Sequence, residues 1–217
     1  MPTTHTELLK QLSWRYAVKK FDASRKISPA IWHAIEQAVV LSPSSYGLQP
    51  WRFYVIDNSQ VRTQLRAASW NQSQITDASH LVVFARREEV TPADVATYVE
   101  RIAEVRGVAI ETLNDYKGMM VGSVSSPQTL PGGSMETWTR SQVYIALGFF
   151  MASCAMLEVD ACPMEGFDPR KYDEVLGLPT QGYRAVVVAT AGYRAADDTL
   201  AKAAKVRYST QTLFKHV

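Results

Sequence analysis

Four separated stretches, the fourth joined by a basic triplet late in the chain, hold the side chains best suited to chemistry. Arg15-Tyr16-Ala17-Val18-Lys19-Lys20-Phe21 lies near the N-terminus, and Ser42 to Phe53 (SPSSYGLQPWRF) carries Pro43, Ser44 and Ser45 ahead of Gln49-Pro50-Trp51. Asn71 and Gln74 follow, then Pro163-Met164-Glu165-Gly166-Phe167-Asp168, and Lys205-Val206-Arg207 near the end. An arginine presents a planar fork that can chelate two oxygens of a phosphate, and each charge-assisted bond is worth about 1.5–3 kcal/mol. Taken singly, each stretch has a plainer account. Arg15, Lys19, Lys205 and Arg207 read as solvated surface charges, Glu165-Gly166 as a turn into a short helix, and Gln49-Pro50-Trp51 as a turn beside a core tryptophan.

Other chemistries lack their motifs. There is no GxGxxG after a strand and no GxxxxGK[ST], so the backbone cradles for dinucleotides and triphosphates are missing. HExxH and carboxylate clusters at metal-ligand spacing are absent, and Ser44-Ser45 has no nucleophile-elbow context. The four histidines are scattered. No metal site is expected. A formal charge of +2, from 23 basic and 21 acidic side chains, is too small for wrapping nucleic acid or adhering to an anionic membrane. Cys154 and Cys162 have neither the number nor the spacing of a disulfide framework, and are expected to be reduced core thiols of a cytoplasmic protein. No basic region followed by an apolar run opens the chain, and the apolar stretches fall short of membrane-spanning length.

The elements that must position these residues follow from periodicity. Residues Glu7 to Tyr16 predict a short helix capped by Thr6. Ser28 and Pro29 open a clear helix whose stripe is Ile31, Ile35, Ala38 and Val39, ended by Ser42-Pro43. Arg52 to Ile56, His80 to Ala85 and Ala185 to Ala189 read as strands, two of them so apolar that helices should cover both faces. Residues 92 to 121 are expected to be helical, Gly122 to Ser134 a long mobile loop, and Met135 to Val159 a central buried helix. Residues 195 to 217 lack a hydrophobic pattern of their own, so this tail is expected to lie against something else. At 217 residues with 47% hydrophobic content, one domain over 1–217, of α+β class, is the expectation.

In their order and spacing the four stretches resemble the flavin-site pattern of the nitroreductase family, over nearly the whole chain. RYAVKKF is similar to Arg-[His/Arg]-Ser-x-[Lys/Arg]-x-[Phe/Tyr], and SPSSYGLQPWRF to Pro-Ser-x-x-Asn-x-Gln-Pro-Trp-x-Phe. The likeness is to the oxygen-insensitive NAD(P)H branch. It implies a nitroreductase-like fold: a central mixed β-sheet surrounded by helices, with the C-terminal tail exchanged in a homodimer. It further implies a bound flavin mononucleotide (FMN), reduced by NADH or NADPH and reoxidised by nitroaromatics, quinones or similar acceptors in ping-pong turnover. Arg15, Lys205 and Arg207 match the phosphate ligands, with Tyr16 and Ala17 beside them. Lys19 matches the cation at the N1 and O2 edge of the ring, where it would raise the reduction potential, and Asn71 and Gln74 match groups that bond the pyrimidine edge. Pro163, Met164, Glu165 and Gly166 match the turn that approaches flavin N5. Pro43, Ser44, Ser45 and Gln49 match the loop that reaches the flavin from the partner subunit.

The catalytic chemistry would then belong to the flavin, with no protein nucleophile. Tyr46, Met119 and Met120 are candidates for the acceptor pocket. Departures from the pattern are Tyr16 for His or Arg, Ala17 for Ser, Gly47 for Asn, and Gln74 where relatives carry Lys. They bear on the flavin potential and acceptor range. Another acceptor on the same scaffold (a pteridine, an activated alkene, a halogenated aromatic), or a flavin-binding redox module without turnover, stays open at this point.

Overall fold

The computed structural model describes residues 3–217. Four strands form its sheet: β1 (Trp51–Val55), β2 (His80–Arg87), β3 (Asp160–Met164) and β4 (Tyr183–Gly192), in the order β1-β2-β4-β3. Every pairing in the ladder is antiparallel, so within one protomer the expected mixed sheet is corrected. The physical reason lies partly in the connections: β1 to β2 and β3 to β4 are each joined by a return through helices that reverses the chain direction. The one parallel contact is an isolated bridge, Ala17 to Ala161, on the outer edge of β3. Strand β3 escapes sequence reading because Asp-Ala-Cys-Pro-Met has no β-branched residue. Its edge position explains how Pro163, without an N–H, is accommodated.

Both sheet faces are covered, as the apolar strands required. Along β2, Val82 and Phe84 point to one side and Leu81, Val83 and Ala85 to the other. The first side packs on α2 (Pro29–Val40) and α7 (Met135–Met156) through Ile35, Val39, Val143, Leu147 and Phe150. Phe84 meets Phe150 edge-on at 5.5 Å. The second side packs on α3 (Ser59–Ala67), α4 (Gln74–Asp77) and α8 (Pro169–Leu176) through Leu65, Ile75 and Tyr172, with Val18 and Phe21 of the N-terminal strip joining them. A bulge between Phe84 and Ala85 leaves Val186 unopposed.

Helix starts follow cap chemistry. The first helix, α1 (His5–Trp14), is capped by Thr4 rather than Thr6, because Glu7 then closes a capping box. Ser28 caps α2 with Pro29 in its first turn. The stretch 92–121 is two helices, α5 (Pro92–Arg106) and α6 (Asn114–Ser125), divided at Gly107 with φ +64°. Only part of Gly122–Ser134 is loop: α6 runs on to Ser125 because Met120 and Val124, one turn apart, both enter a third core with Val95, Val99 and Trp138. A short 3₁₀ turn, Pro127–Thr129, follows, and Gly132 and Gly133, both at positive φ, lead into α7. A last short helix, α9 (Thr210–Leu213), lies in the tail, and residues 201–217 are exposed throughout. Among the described residues no helix is long and apolar enough to cross a membrane.

His80 opens β2 stacked on Trp32 of α2, with ring centroids 3.8 Å apart. Burial, and then the nearby guanidinium of Arg62, lowers its pKa to about 4. Arg62 itself is buried and spends its donors on the carbonyls of Ile56, Ala78 and Ser79 at 2.7–3.0 Å. The unfolded chain, with an ordinary imidazole near 6.5, takes up its proton first. His80 therefore favours the fold fully above pH 6.5, and that contribution is lost as pH falls through the interval down to about 4. Urea unfolding across this interval should show a loss on the order of 2 kcal/mol from this group, allowing for its partial exposure. The His80→Phe variant, which keeps a stacking ring without a titrating nitrogen, should lack that share of the slope.

Candidate functional site

The N-terminal strip is held by its apolar members. Val18 and Phe21 are buried, Ala17 bridges β3, and Phe21 bridges Arg194 just beyond β4. Arg15, Tyr16, Ala17 and Lys19 are thereby left along one wall of a cavity of about 550 Å³. The opposite wall comes from the other end of the chain, and includes Leu200, Lys205 and Arg207. The Lys205 ammonium donates to the carbonyls of Leu12, at 3.0 Å, and Arg15, which pins the tail to the end of α1.

The electrostatics of this cavity are one-sided. Among the described residues none of Arg15, Lys19, Lys205 and Arg207 has a carboxylate partner. Arg15 is pushed below its ordinary pKa by burial and then by Arg207; Lys205 is lowered by burial, then by Arg15 and Arg207. Like charges held this close are relieved by a bound anion. The two acids nearby are committed elsewhere. Asp160 chelates Arg194, with Nη2 to Oδ1 at 2.5 Å, and Asp198 accepts from the N–H groups of Lys19 and Lys20 at 3.0 and 3.1 Å.

Gln74 belongs to the same neighbourhood. It is buried at the start of α4, near Cys162, whose thiol is pushed up in pKa by burial against the opposing influence of Lys19, Gln74 and Arg15. Asn71 is exposed, with its backbone at φ +58° directly after Trp70 at +52°. Gly166 lies against this turn: a Cβ there would come within 2.6 Å of the Trp70 ring, and Gln72 donates to the Gly166 carbonyl at 2.7 Å. The glycine thus makes room for an indole. Glu165 accepts from the Tyr144 hydroxyl. Pro163 is half-buried, and the Met164 side chain belongs to the core, so only its backbone is free to meet a ligand.

The second motif sits apart. Pro43, Ser44, Ser45 and Gln49 do not line the Arg15 cavity within a protomer. Their loop is fixed from inside: Ser45 N–H donates to Gln142 at 2.8 Å, Gln49 N–H to Ser44 Oγ at 2.9 Å, and the Gln49 amide to the Val40 carbonyl at 3.2 Å. Tyr46, Gly47 and Gln49 all have positive φ. The Tyr46 hydroxyl bonds Ser123 at 3.0 Å and its carbonyl accepts from Tyr116 at 2.9 Å, so α6 holds this loop. Met119 is exposed, whereas Met120 is fully buried in the third core, which removes it as a pocket residue. Sequence reading missed Trp14, Asp160, Arg194 and Asp198; only the Asp197-Asp198 pair just ahead of the basic tail offered a signal.

Known proteins resemble this chain in sequence and in fold. The nitroreductase family profile matches residues 12–193. A protein of Staphylococcus epidermidis, provisionally named an NAD(P)H nitroreductase, is 34% identical over 220 aligned positions, covering 97% of this chain and 96% of its own. The crystal structure of a provisionally named nitroreductase of Bacillus subtilis superposes with a TM-score of 0.85 at 17% identity, covering 99% of this chain and all of that one. Another, from Exiguobacterium sibiricum and in complex with FMN, gives 0.78 at 20% identity, covering 100% and 99%. At these identities the two structures speak for the fold.

Gly47 yields a direct test of the second-motif loop. A Cβ there would lie 2.0 Å from the Tyr98 hydroxyl, at a φ of +78°. Gly47→Ala should cost about 2–3 kcal/mol in urea unfolding. In a double-mutant cycle with Tyr98→Ala the clash should vanish, a coupling of about 1 kcal/mol or more.

Proposed function

The chain belongs to the nitroreductase family, and from that premise we propose that it is an NAD(P)H-dependent FMN oxidoreductase acting on nitroaromatics, quinones or similar acceptors. One observation carries the reading: Arg15, Lys205 and Arg207, drawn from both ends of the chain, line one cavity with no acid to pair them. A phosphate monoester dianion fits that donor set, and an arginine fork suits its oxygens. Lys19 is assigned to the anionic edge of the reduced ring, and Gln74 and Asn71 to its pyrimidine edge. When bound, FMN supplies hydride acceptance and donation at N5. The protein's own part is to hold the phosphate, orient the ring and offset its charge. No nucleophile is required, which accounts for a site made of cations and amides.

A homodimer completes the assignment. Leu8, Leu9 and Leu12 of α1, Ile145 and Phe149 of α7, and Leu213 and Phe214 of the tail are all exposed. A shallow cavity of about 650 Å³ between α2 and α7 has the small residues Ala34, Ala38 and Gly148 on its floor, which permits close approach of a second helix. A second copy is assigned to this face, with tails exchanged and Ser44 and Ser45 presented to the partner's flavin. Residual exposure of this much apolar surface is otherwise costly, at roughly 25 cal/mol per Å².

The purified protein should be yellow, bleach on anaerobic addition of NADH or NADPH, and regain colour with a quinone. Initial-rate lines for donor and acceptor should run parallel; intersecting lines would overturn a shared site. Charge reversal at Arg15 and Arg207 together should remove most bound FMN, since each lost charge-assisted contact is worth about tenfold or more in affinity. Unchanged occupancy would remove the basis of the reading. Sedimentation should give a dimer, and a monomer that retains FMN on dilution would exclude tail exchange.

A further inference from the structure

Tyr16 stands where the family pattern has His or Arg, and its phenol is engaged by an acid of the chain itself. It donates to Asp198 Oδ2 at 3.0 Å, while its ring lies 4.6 Å from the guanidinium of Arg194. Asp198 is 5% exposed. The same oxygen accepts from Lys19 N–H at 3.0 Å and Lys20 N–H at 3.1 Å, and the other accepts from Leu200 N–H at 3.1 Å. Burial alone would raise this carboxyl's pKa; the N–H groups of Lys19, Lys20 and Leu200 and the Tyr16 hydroxyl outweigh it and hold the group below the usual carboxylate range. Asp198 is therefore an anion at neutral pH whose charge is met by oriented dipoles and not by a neighbouring cation.

Its position is what matters. Three of its four bonds go to the strip carrying Arg15 and Lys19, and the fourth to the first turn of the tail carrying Lys205 and Arg207. Around it the same two segments exchange further bonds: Ala195 N–H to the Lys20 carbonyl at 2.9 Å, Asp22 N–H to the Tyr193 carbonyl at 2.8 Å, and an ion pair between Lys20 and Asp197. Beyond this junction the tail returns to the Leu12 and Arg15 carbonyls through Lys205. Mutually repelling cations stay together only if their backbones are tied by something other than the cations themselves.

We propose that Asp198, latched by Tyr16, is a positioning residue for the anionic end of the cofactor: it sets the register between the N-terminal strip and the tail so that Arg15, Lys205 and Arg207 meet one phosphate. This rests on the flavin reading above. The latch acts on the phosphate end, so it distinguishes FMN from riboflavin, which carries the same ring without phosphate.

The test compares wild-type, Asp198→Asn and Tyr16→Phe proteins loaded with FMN or with riboflavin. Dissociation is read from recovery of free-flavin fluorescence on dilution. Asp198→Asn should weaken FMN at least about tenfold, since one amide cannot accept all four bonds, and Tyr16→Phe about threefold. Riboflavin should change less than FMN in both, and less than about twofold in Tyr16→Phe, which leaves the bond from Lys19 N–H to Asp198 in place. Tyr16→Phe keeps the carboxylate and its backbone donors, so it tests the latch even if Asp198→Asn folds poorly. FMN affinity unchanged in both variants, or FMN and riboflavin weakened alike, would overturn the proposal; the latter is the outcome of a merely structural role. If the wild type binds neither flavin, the flavin reading fails by itself. The latch is then judged by inorganic phosphate, whose protection against thermal unfolding should be smaller in Tyr16→Phe than in wild type, and equal protection would overturn it.

Discussion

Four cations, Arg15, Lys19, Lys205 and Arg207, share one cavity without a carboxylate to neutralise them, and much of the surrounding structure answers to the repulsion this creates. Arg15 and Lys205 come from opposite ends of the chain, and nothing in their own chemistry brings them together. Two acids beside this cavity have other partners. Asp160 is held by Arg194 and Asp198 by backbone N–H groups and Tyr16. Among the described residues these cations are thus left without a carboxylate of their own, and burial and mutual repulsion lower the pKa of Arg15 and Lys205.

The rest of the fold supplies rigidity around that imbalance. The N-terminal strip is anchored by Val18 and Phe21 in one core and by the Ala17 bridge to β3, so it behaves as an irregular extension of the sheet edge. Gln74 and the Trp70-Asn71 turn, with its consecutive left-handed residues, approach from the α3–α4 side. The excursion of α5 and α6 has a separate core, and it grips the Tyr46 loop through Tyr98, Tyr116 and Ser123. The excursion and the Ser44-Ser45 loop, far apart in sequence, are thereby held together.

Gly47 and Gly166 show how a small residue can have a reason other than the expected one. At Gly166 the space taken by a Cβ belongs to Trp70, and at Gly47 to Tyr98. In both places the glycine records close packing by an aromatic side chain. Tyr16 is a parallel case: where the family pattern has His or Arg, this chain has a phenol hydrogen-bonded to a buried acid.

What the sequence by itself determined were features set by local chemistry or by strong periodicity. Ser28-Pro29 fixed the start of α2, the apolar runs marked β1, β2 and β4, and the spacing of Val143, Leu147, Phe150 and Cys154 marked α7. The motifs also named the cations that share one cavity, because residue type alone states their charge. Only the tertiary structure decided the rest. β3 carries no strand-forming pattern and exists because β4 offers it an edge. Helix α6 outruns its glycine- and serine-rich sequence because Met120 and Val124 have a core to enter. The choice between Thr4 and Thr6 as a cap, and of Asp198 as the partner of Tyr16, depended on which groups lay within hydrogen-bond reach. Charge and periodicity are properties of the residues in order, whereas burial and pairing are properties of residues brought near from elsewhere in the chain.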